Sequence, residues 1–179
     1  MTGFFPIMMF ALPGAALAIY HTAKPEKKKV TGGVMFSVAL TAFLTGITEP
    51  LEYAFAYVAF PLYLVHAILT GTSLALVNAL GIKDGFGFSA GLTDYIINFG
   101  RAAQLSGGPG KVLLLLVIGL AYGVIYYFVF RFAITRWQLH TPGREEDGES
   151  AAAASVFDEA QVAAEASTGK KAAKDEGRV

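Results

Sequence analysis

Apolar residues fall into four blocks along the chain, at residues 4–20, 30–44, 51–80 and 112–134. A helix that crosses a bilayer needs about 20 mostly apolar residues. The first block, which is short, and the last block, which is the cleanest, therefore each predict one transmembrane helix. The third block exceeds one ordinary span, so part of it is expected to be tilted, kinked or re-entrant.

The breaks between the blocks are glycine-rich or polar. Gly46 interrupts the helical pattern at the end of the second block, and residues 81–110 predict a loop with one short helix at 92–99. From residue 141 the chain lacks a burial pattern and predicts a disordered cytoplasmic tail. The pattern as a whole predicts an all-α membrane protein, with a membrane domain at 1–140 and the tail at 141–179.

Charge is scarce and segregated. Only 16% of the 179 residues are charged, against about 25% in an ordinary soluble domain. Between residues 30 and 82 the charged side chains are Glu49 and Glu52 alone. The chain contains no cysteine, which excludes disulfides, thiolate metal sites and cysteine nucleophiles.

Basic residues predict the orientation. The lysine-rich loop at 24–29 and the arginines 131, 136 and 144 both indicate cytoplasmic ends, because short basic loops stay in the cytoplasm. An even number of crossings must then join them. One re-entrant hairpin with its tip near 46–49, one crossing that ends by Leu80 and one at 112–134 satisfy this count. The same parity puts residue 4 outside, so we expect further spans upstream.

The run at 45–53 holds the candidate chemistry. A carboxylate at bilayer depth costs about 2.5–3.5 kcal/mol, so it persists where it faces a cavity, a partner or a substrate. Pro50 is expected at the first position of a helix. Glu49 would then be the cap, and Glu52 would reach back to the backbone N–H of the cap. The positive end of the helix dipole would help keep both carboxylates ionised.

Several uses of these polar groups stay open. An ionised Glu49 would accept short hydrogen bonds from hydroxyl groups, which suits a sugar, but it could instead relay protons or cap a helix without any ligand. Glu52, Pro50 and His66 are expected to support the site structurally rather than to bind a ligand. No pattern predicts a metal site, a nucleotide loop or a nucleophile triad, and we expect no cofactor and no catalytic residue.

The run Gly-Ile-Thr-Glu-Pro-Leu-Glu at 46–52 resembles the signature of the membrane (IIC) subunit of the bacterial sugar phosphotransferase system, in its glucose/N-acetylglucosamine branch. The resemblance extends over residues 4–146. Four further motifs match in the same order: Leu-Pro-Gly-Ala-Ala at 12–16, His-Ala-Ile-Leu at 66–69, Gly-Phe-Ser-Ala-Gly at 87–91 and Thr-Pro-Gly-Arg-Glu at 141–145.

This resemblance implies a fold of transmembrane helices with two re-entrant hairpins, of which the chain resembles only the C-terminal half with one hairpin. It implies that the sugar-binding carboxylate is Glu49, with Thr48 and Gly46 beside it. The family's sugar-binding histidine would lie upstream, so we expect the chain to be a gene fragment or a split subunit that needs the N-terminal half of IIC as a partner.

The resemblance also implies partners and location. The sugar would be carried inward across the bacterial cytoplasmic membrane and phosphorylated by a cytoplasmic IIB subunit that carries a phosphocysteine. Because this chain has no cysteine, that donor would be a separate chain, and whether this subunit alone counts as an enzyme stays open. Membrane lipid, the sugar and a homodimer of the full-length protein are the other expected partners, and nucleic acid is not.

Two positions bear on the sugar. Members that resemble glucose carriers tend to have Lys where this chain has Met8, and His where it has Ala90. Met and Ala would leave apolar room for an acetamido methyl group, which favours N-acetylglucosamine over glucose. The alternatives from the residues alone are an ion- or proton-coupled carrier and a truncated chain that does not transport.

Overall fold

The computed structural model describes residues 1–57 and 59–144, and the predicted tail from residue 145 onward lies outside the described residues. The prediction of an all-α protein is confirmed, because the described part contains helices and no strands. The helices are α1 (Phe4–Thr22), α2 (Lys28–Thr45), α3 (Glu49–Ala56), α4 (Phe60–Ala79), α5 (Leu92–Ser106) and α6 (Pro109–Arg136).

Three of these helices, α1, α4 and α6, are long and apolar enough to cross a membrane. The first and last apolar blocks thus form helices slightly longer than predicted. The long block at 51–80 forms two helices, one ending at Ala56 and the next beginning at Phe60, so it is not one span, as its length required. Between α2 and α3 lies a turn at residues 46–48, and the re-entrant position of this turn and the sidedness of the chain stay predictions.

Close packing of α1 against α6 forms the centre of the fold. A Cβ atom at Gly14 would overlap the carbonyl of Gly123, and one at Gly119 would overlap the ring of Phe10. Glycine at these places therefore lets the two backbones approach, as at other helix contacts in membranes. Within α1, the turn Ile7–Ala11 is π-helical, a local widening that is frequent at functional sites.

The residues that follow α6 fold back onto the loop between α1 and α2. Arg144 Nη1 donates to the carbonyl of Thr22 at 3.1 Å, and the N–H of Lys24 donates to the carbonyl of Gly143 at 2.9 Å. Gly143 has a φ of +85°, which favours glycine, and lies against Thr31. The compact unit extends to Arg144, so the first residues after the predicted boundary at 140 pack against its body.

Candidate substrate-binding site

Glu49 begins α3 and its side chain is exposed. Its Oε2 accepts the backbone N–H of Thr48 at 3.1 Å. The cap of the helix is Thr48, whose carbonyl accepts the N–H groups of Leu51 at 3.0 Å and Glu52 at 2.9 Å. The predicted cap at Glu49 is therefore wrong by one position. The Glu49 carboxylate thus lies at the N-terminal end of α3, directly after the cap.

With Thr48 as the cap, its backbone N–H donates to Glu49, so Glu52 does not accept it as a capping-box acid would. Glu52 interacts with the side chain of Thr48, and its Oε1 lies 3.6 Å from Nε2 of His66 on α4. The prediction that His66 is a hydrogen-bonded core residue is confirmed: it is buried, and its Nδ1 lies 3.1 Å from the hydroxyl of Tyr126. Pro50 lies in the first turn of α3, where it is tolerated because that N–H has no helical partner.

The loop before α5 holds the other side of the turn. Ser89 Oγ donates to the carbonyl of Gly46 at 2.7 Å, and Thr93 Oγ1 donates to the carbonyl of Leu44 at 2.9 Å. The Ser89 hydroxyl also lies 3.7 Å from Sδ of Met8. A Cβ atom at Gly91 would overlap the backbone at residues 44–46. The turn and the loop are thus in direct backbone contact.

Asp94 gives this loop its shape. Its carboxylate accepts three backbone N–H groups, from Gly87 at 3.1 Å, Phe88 at 3.1 Å and Ser89 at 2.9 Å. These bonds, that of Ser89 first, lower the pKa of the Asp94 carboxyl. The sequence reasoning missed this residue. A sequence signal for it was available: Asp94 is an acid in the first turn of the helix predicted at 92–99, directly after a glycine- and serine-rich loop.

The five predicted binding residues differ in exposure. Glu49 is exposed and Met8 is half-buried, whereas Gly46, Thr48 and Ala90 are buried, Ala90 completely at 0% exposure. The structure brings the loop that contains Ala90 to Gly46, and Met8 lies against Ser89 of the same loop. It does not place Ala90 on an open surface, so a role of this position in binding has to act through the loop.

The apolar cavity of about 950 Å³ between α1 and α2 is a separate feature. It is lined by Met9, Phe10 and Pro13 of α1 and by Met35, Phe36 and Phe43 of α2, among others. In the described part of the chain, none of the five predicted binding residues lines this cavity. The candidate site is therefore the turn around Glu49, not this groove.

Comparison with known proteins agrees with the signature in the turn. Residues 1–71, which include Glu49, Glu52 and His66, match the family model described as phosphotransferase system, EIIC. The chain is 55% identical over 147 residues to the PTS system N-acetylglucosamine-specific EIICB component of Bacillus subtilis (strain 168). That match covers 82% of this chain and 31% of the relative's length. The chain is therefore similar to EIIC membrane components of the phosphotransferase system, over residues 1–71 by the family model and over 82% of its length by this relative, of which it spans less than a third.

Proposed function

We propose that this chain forms part of a membrane subunit that carries N-acetylglucosamine into the cell within a phosphoenolpyruvate-dependent phosphotransferase system. The 55% identical Bacillus relative is named as specific for N-acetylglucosamine, which supports this choice of sugar over glucose. The observation that carries the proposal is the exposed Glu49 carboxylate at the end of a turn held from two sides. Such a carboxylate accepts strong hydrogen bonds from sugar hydroxyls.

Met8 and Ala90 have different parts in the proposed specificity. Met8 is half-buried and would offer apolar contact to an acetamido methyl group. Ala90 is fully buried in the loop that holds Gly46. A larger residue at position 90 would shift that loop, so this position acts on the shape of the site rather than by touching the sugar.

Phosphorylation requires a partner in this proposal. The chain contains no cysteine, so it cannot carry a phosphocysteine itself. The Bacillus relative is named an EIICB component, and we propose that a IIB subunit serves as phosphoryl donor here. The N-terminal half of the IIC fold, a homodimeric assembly and a cytoplasmic position for the residues after α6 belong to the same proposal.

A chimaera tests the assignment. The chain would replace the corresponding 147 matched residues of the Bacillus relative, in cells that lack their own N-acetylglucosamine uptake. We expect the chimaera to take up labelled sugar and to deliver it phosphorylated. Glu49→Gln should lower uptake by about 10- to 100-fold, the cost of a hydrogen bond to a charged group.

Glu26→Gln is the matched control, because Glu26 is an exposed acid in the lysine-rich loop. Equal uptake by the Glu49→Gln and Glu26→Gln variants would reject Glu49 as the sugar acceptor. The same chimaera in cells without the phosphorelay proteins should take up nothing. Continued uptake there would favour an ion- or proton-coupled carrier instead.

A further inference from the structure

Beside Glu49 lies a chain of polar side chains that the proposed sugar contact does not use. Glu52 on α3 meets Nε2 of His66 on α4 at 3.6 Å. Nδ1 of His66 lies 3.1 Å from the hydroxyl of Tyr126 on α6, and this hydroxyl lies 3.2 Å from the backbone carbonyl of His66. Thr70 Oγ1 lies 3.4 Å from the same hydroxyl. The polar chain thus links three helices.

The imidazole ring is fixed within this chain. His66 is 8% exposed and Tyr126 is 0% exposed. The ring of Phe55 packs edge-on against His66 with 5.7 Å between centroids. Because the Tyr126 hydroxyl meets the Nδ1 side, the Nε2 side is the part of the ring directed at Glu52. Buried polar groups are costly unless they are paired, so this arrangement is strongly favoured over one in which the ring turns away.

The short helix α3 depends on such contacts. It has eight residues, follows the turn at 46–48 and ends at Ala56, before α4 begins at Phe60. Helices of this length are unstable alone, so tertiary contacts decide their orientation. Leu51 and Phe55 bury their side chains and fix how deeply α3 packs. The contact between Glu52 and His66 adds a directed polar contact beside this buried face.

Rotation of α3 moves Glu49. Glu49 and Glu52 are three positions apart, and residues at this spacing lie on the same side of a helix. We infer that His66 is a positioning residue: it holds Glu52 and so fixes the rotation of α3 that places the Glu49 carboxylate where the sugar hydroxyls bind. This inference rests on the proposed function, and His66 itself touches no sugar in it.

Two substitutions at one position separate the two sides of the ring. His66→Asn keeps a polar atom near the place of Nδ1, for Tyr126, but is too short to reach Glu52. His66→Gln extends a polar atom to the place of Nε2. In the chimaera we expect His66→Asn to raise the KM of N-acetylglucosamine uptake about tenfold and His66→Gln to change it by less than about twofold, since small misplacements of a binding group are costly.

His21 provides the matched control. Its Nδ1 also lies 3.1 Å from a tyrosine hydroxyl, that of Tyr127, but it is exposed and lies at the end of α1, where α3 is not its partner. His21→Asn makes the same change beside a tyrosine hydroxyl, away from Glu52, and should leave the KM unchanged. The KM does not depend on the amount of protein in the membrane. Maximal rates do depend on it, so they are divided by that amount.

The outcomes separate the two proposals. If the unmutated chimaera takes up no sugar, the proposed function is rejected and the inference with it. If it takes up sugar and His66→Asn has the KM of His21→Asn, the inference alone is overturned. Should His66→Asn fail to reach the membrane, Tyr126→Phe decides, because it keeps the ring stacked on Phe130 at 5.4 Å and loses only the hydroxyl. A raised KM then supports the inference, and an unchanged KM overturns it.

Discussion

The two sides of the turn at 46–48 are held by different chemistry. On the side of α2, the hydroxyls of Ser89 and Thr93 donate to the backbone carbonyls of Gly46 and Leu44. On the side of α3, the ionisable side chains of Glu52 and His66 face one another. The first side is fixed to the main chain by neutral hydrogen bonds. The second depends on the pairing of two particular side chains.

If the chain is part of a sugar carrier, as proposed, this difference bears on how its site can work. Backbone contacts at close range allow little movement, because packed interiors do not deform continuously. The single pair of ionisable side chains between α3 and α4, Glu52 and His66, can be lost or remade with few other changes. We therefore expect the loop side to determine whether the site exists at all, and the α3 side to determine how well Glu49 is placed. The following substitutions test that division.

The largest effect is expected at Gly91. A Cβ atom there would overlap the backbone of Gly46 and Thr45 and come within 2.8 Å of the carbonyl oxygen of Leu44. Gly91→Ala should lower the free energy of unfolding by about 3 kcal/mol, at the upper end of the cost of overpacking. Gly100→Ala is the control, since nothing lies within 4 Å of its Cβ position. Thermal unfolding in detergent measures both, and equal stabilities would contradict the close contact.

Asp94 comes next. Asp94→Asn keeps one acceptor oxygen but turns an NH₂ group toward backbone N–H donors of the loop at 87–89. The loss should be about 2 kcal/mol, because hydrogen bonds to a charged acceptor are stronger than neutral ones. Uptake by the chimaera should fall together with stability. A variant that kept full stability would show that the loop does not depend on the carboxylate.

Ser89→Ala should have a smaller effect on stability, about 1 kcal/mol for one neutral hydrogen bond to the carbonyl of Gly46. Ser37→Ala is its control, because the Ser37 hydroxyl donates within its own helix to the carbonyl of Gly33 at 3.0 Å. Unfolding in denaturant compares the two. If Ser89→Ala raised the KM for sugar more than His66→Asn does, the proposed division between the two sides would be wrong.

The two acids of the loop region should respond to pH in opposite ways. Burial raises the pKa of Asp84 from 3.8 to about 6, whereas backbone hydrogen bonds lower the pKa of Asp94. Between about pH 4 and 6 the folded protein binds more protons at Asp84 than the unfolded chain does, so its contribution to stability falls as pH rises. Asp94 instead contributes stability above its unfolded pKa, near 4, and loses it as pH falls below that value.

Asp84→Asn isolates the first of these effects. In the unmutated protein, the contribution of Asp84 lowers the unfolding temperature as pH rises from about 4 to 6. We expect this decrease to be absent in Asp84→Asn and present in Asp94→Asn. The buried Oδ2 of Asp84 has no hydrogen-bond partner among the described residues, which agrees with a carboxyl that prefers to be neutral. An unchanged pH profile in Asp84→Asn would assign the effect to other groups.

The sequence alone determined the helical class, the first and last long helices and the break in the long apolar block. The reason is that block lengths and apolar composition are local properties that a bilayer-spanning helix must satisfy. The sequence also singled out Glu49, because a carboxylate within an apolar stretch is unusual wherever the chain folds. The exact start of α3 was one residue off, since the cap depends on which carbonyl closes the first turn.

Only the tertiary structure decided what holds Glu49. Asp94 follows a glycine- and serine-rich loop, which is a local signal for its role there, but it lies far along the chain from the turn, and no local pattern predicts that this loop reaches Gly46. The pairing of Glu52 with His66 and Tyr126 depends on three helices meeting, and α5 runs to Ser106 rather than to 99 because its buried face is formed by its neighbours. Local patterns report what each segment prefers, whereas the site consists of contacts between segments, which exist only once the chain has folded.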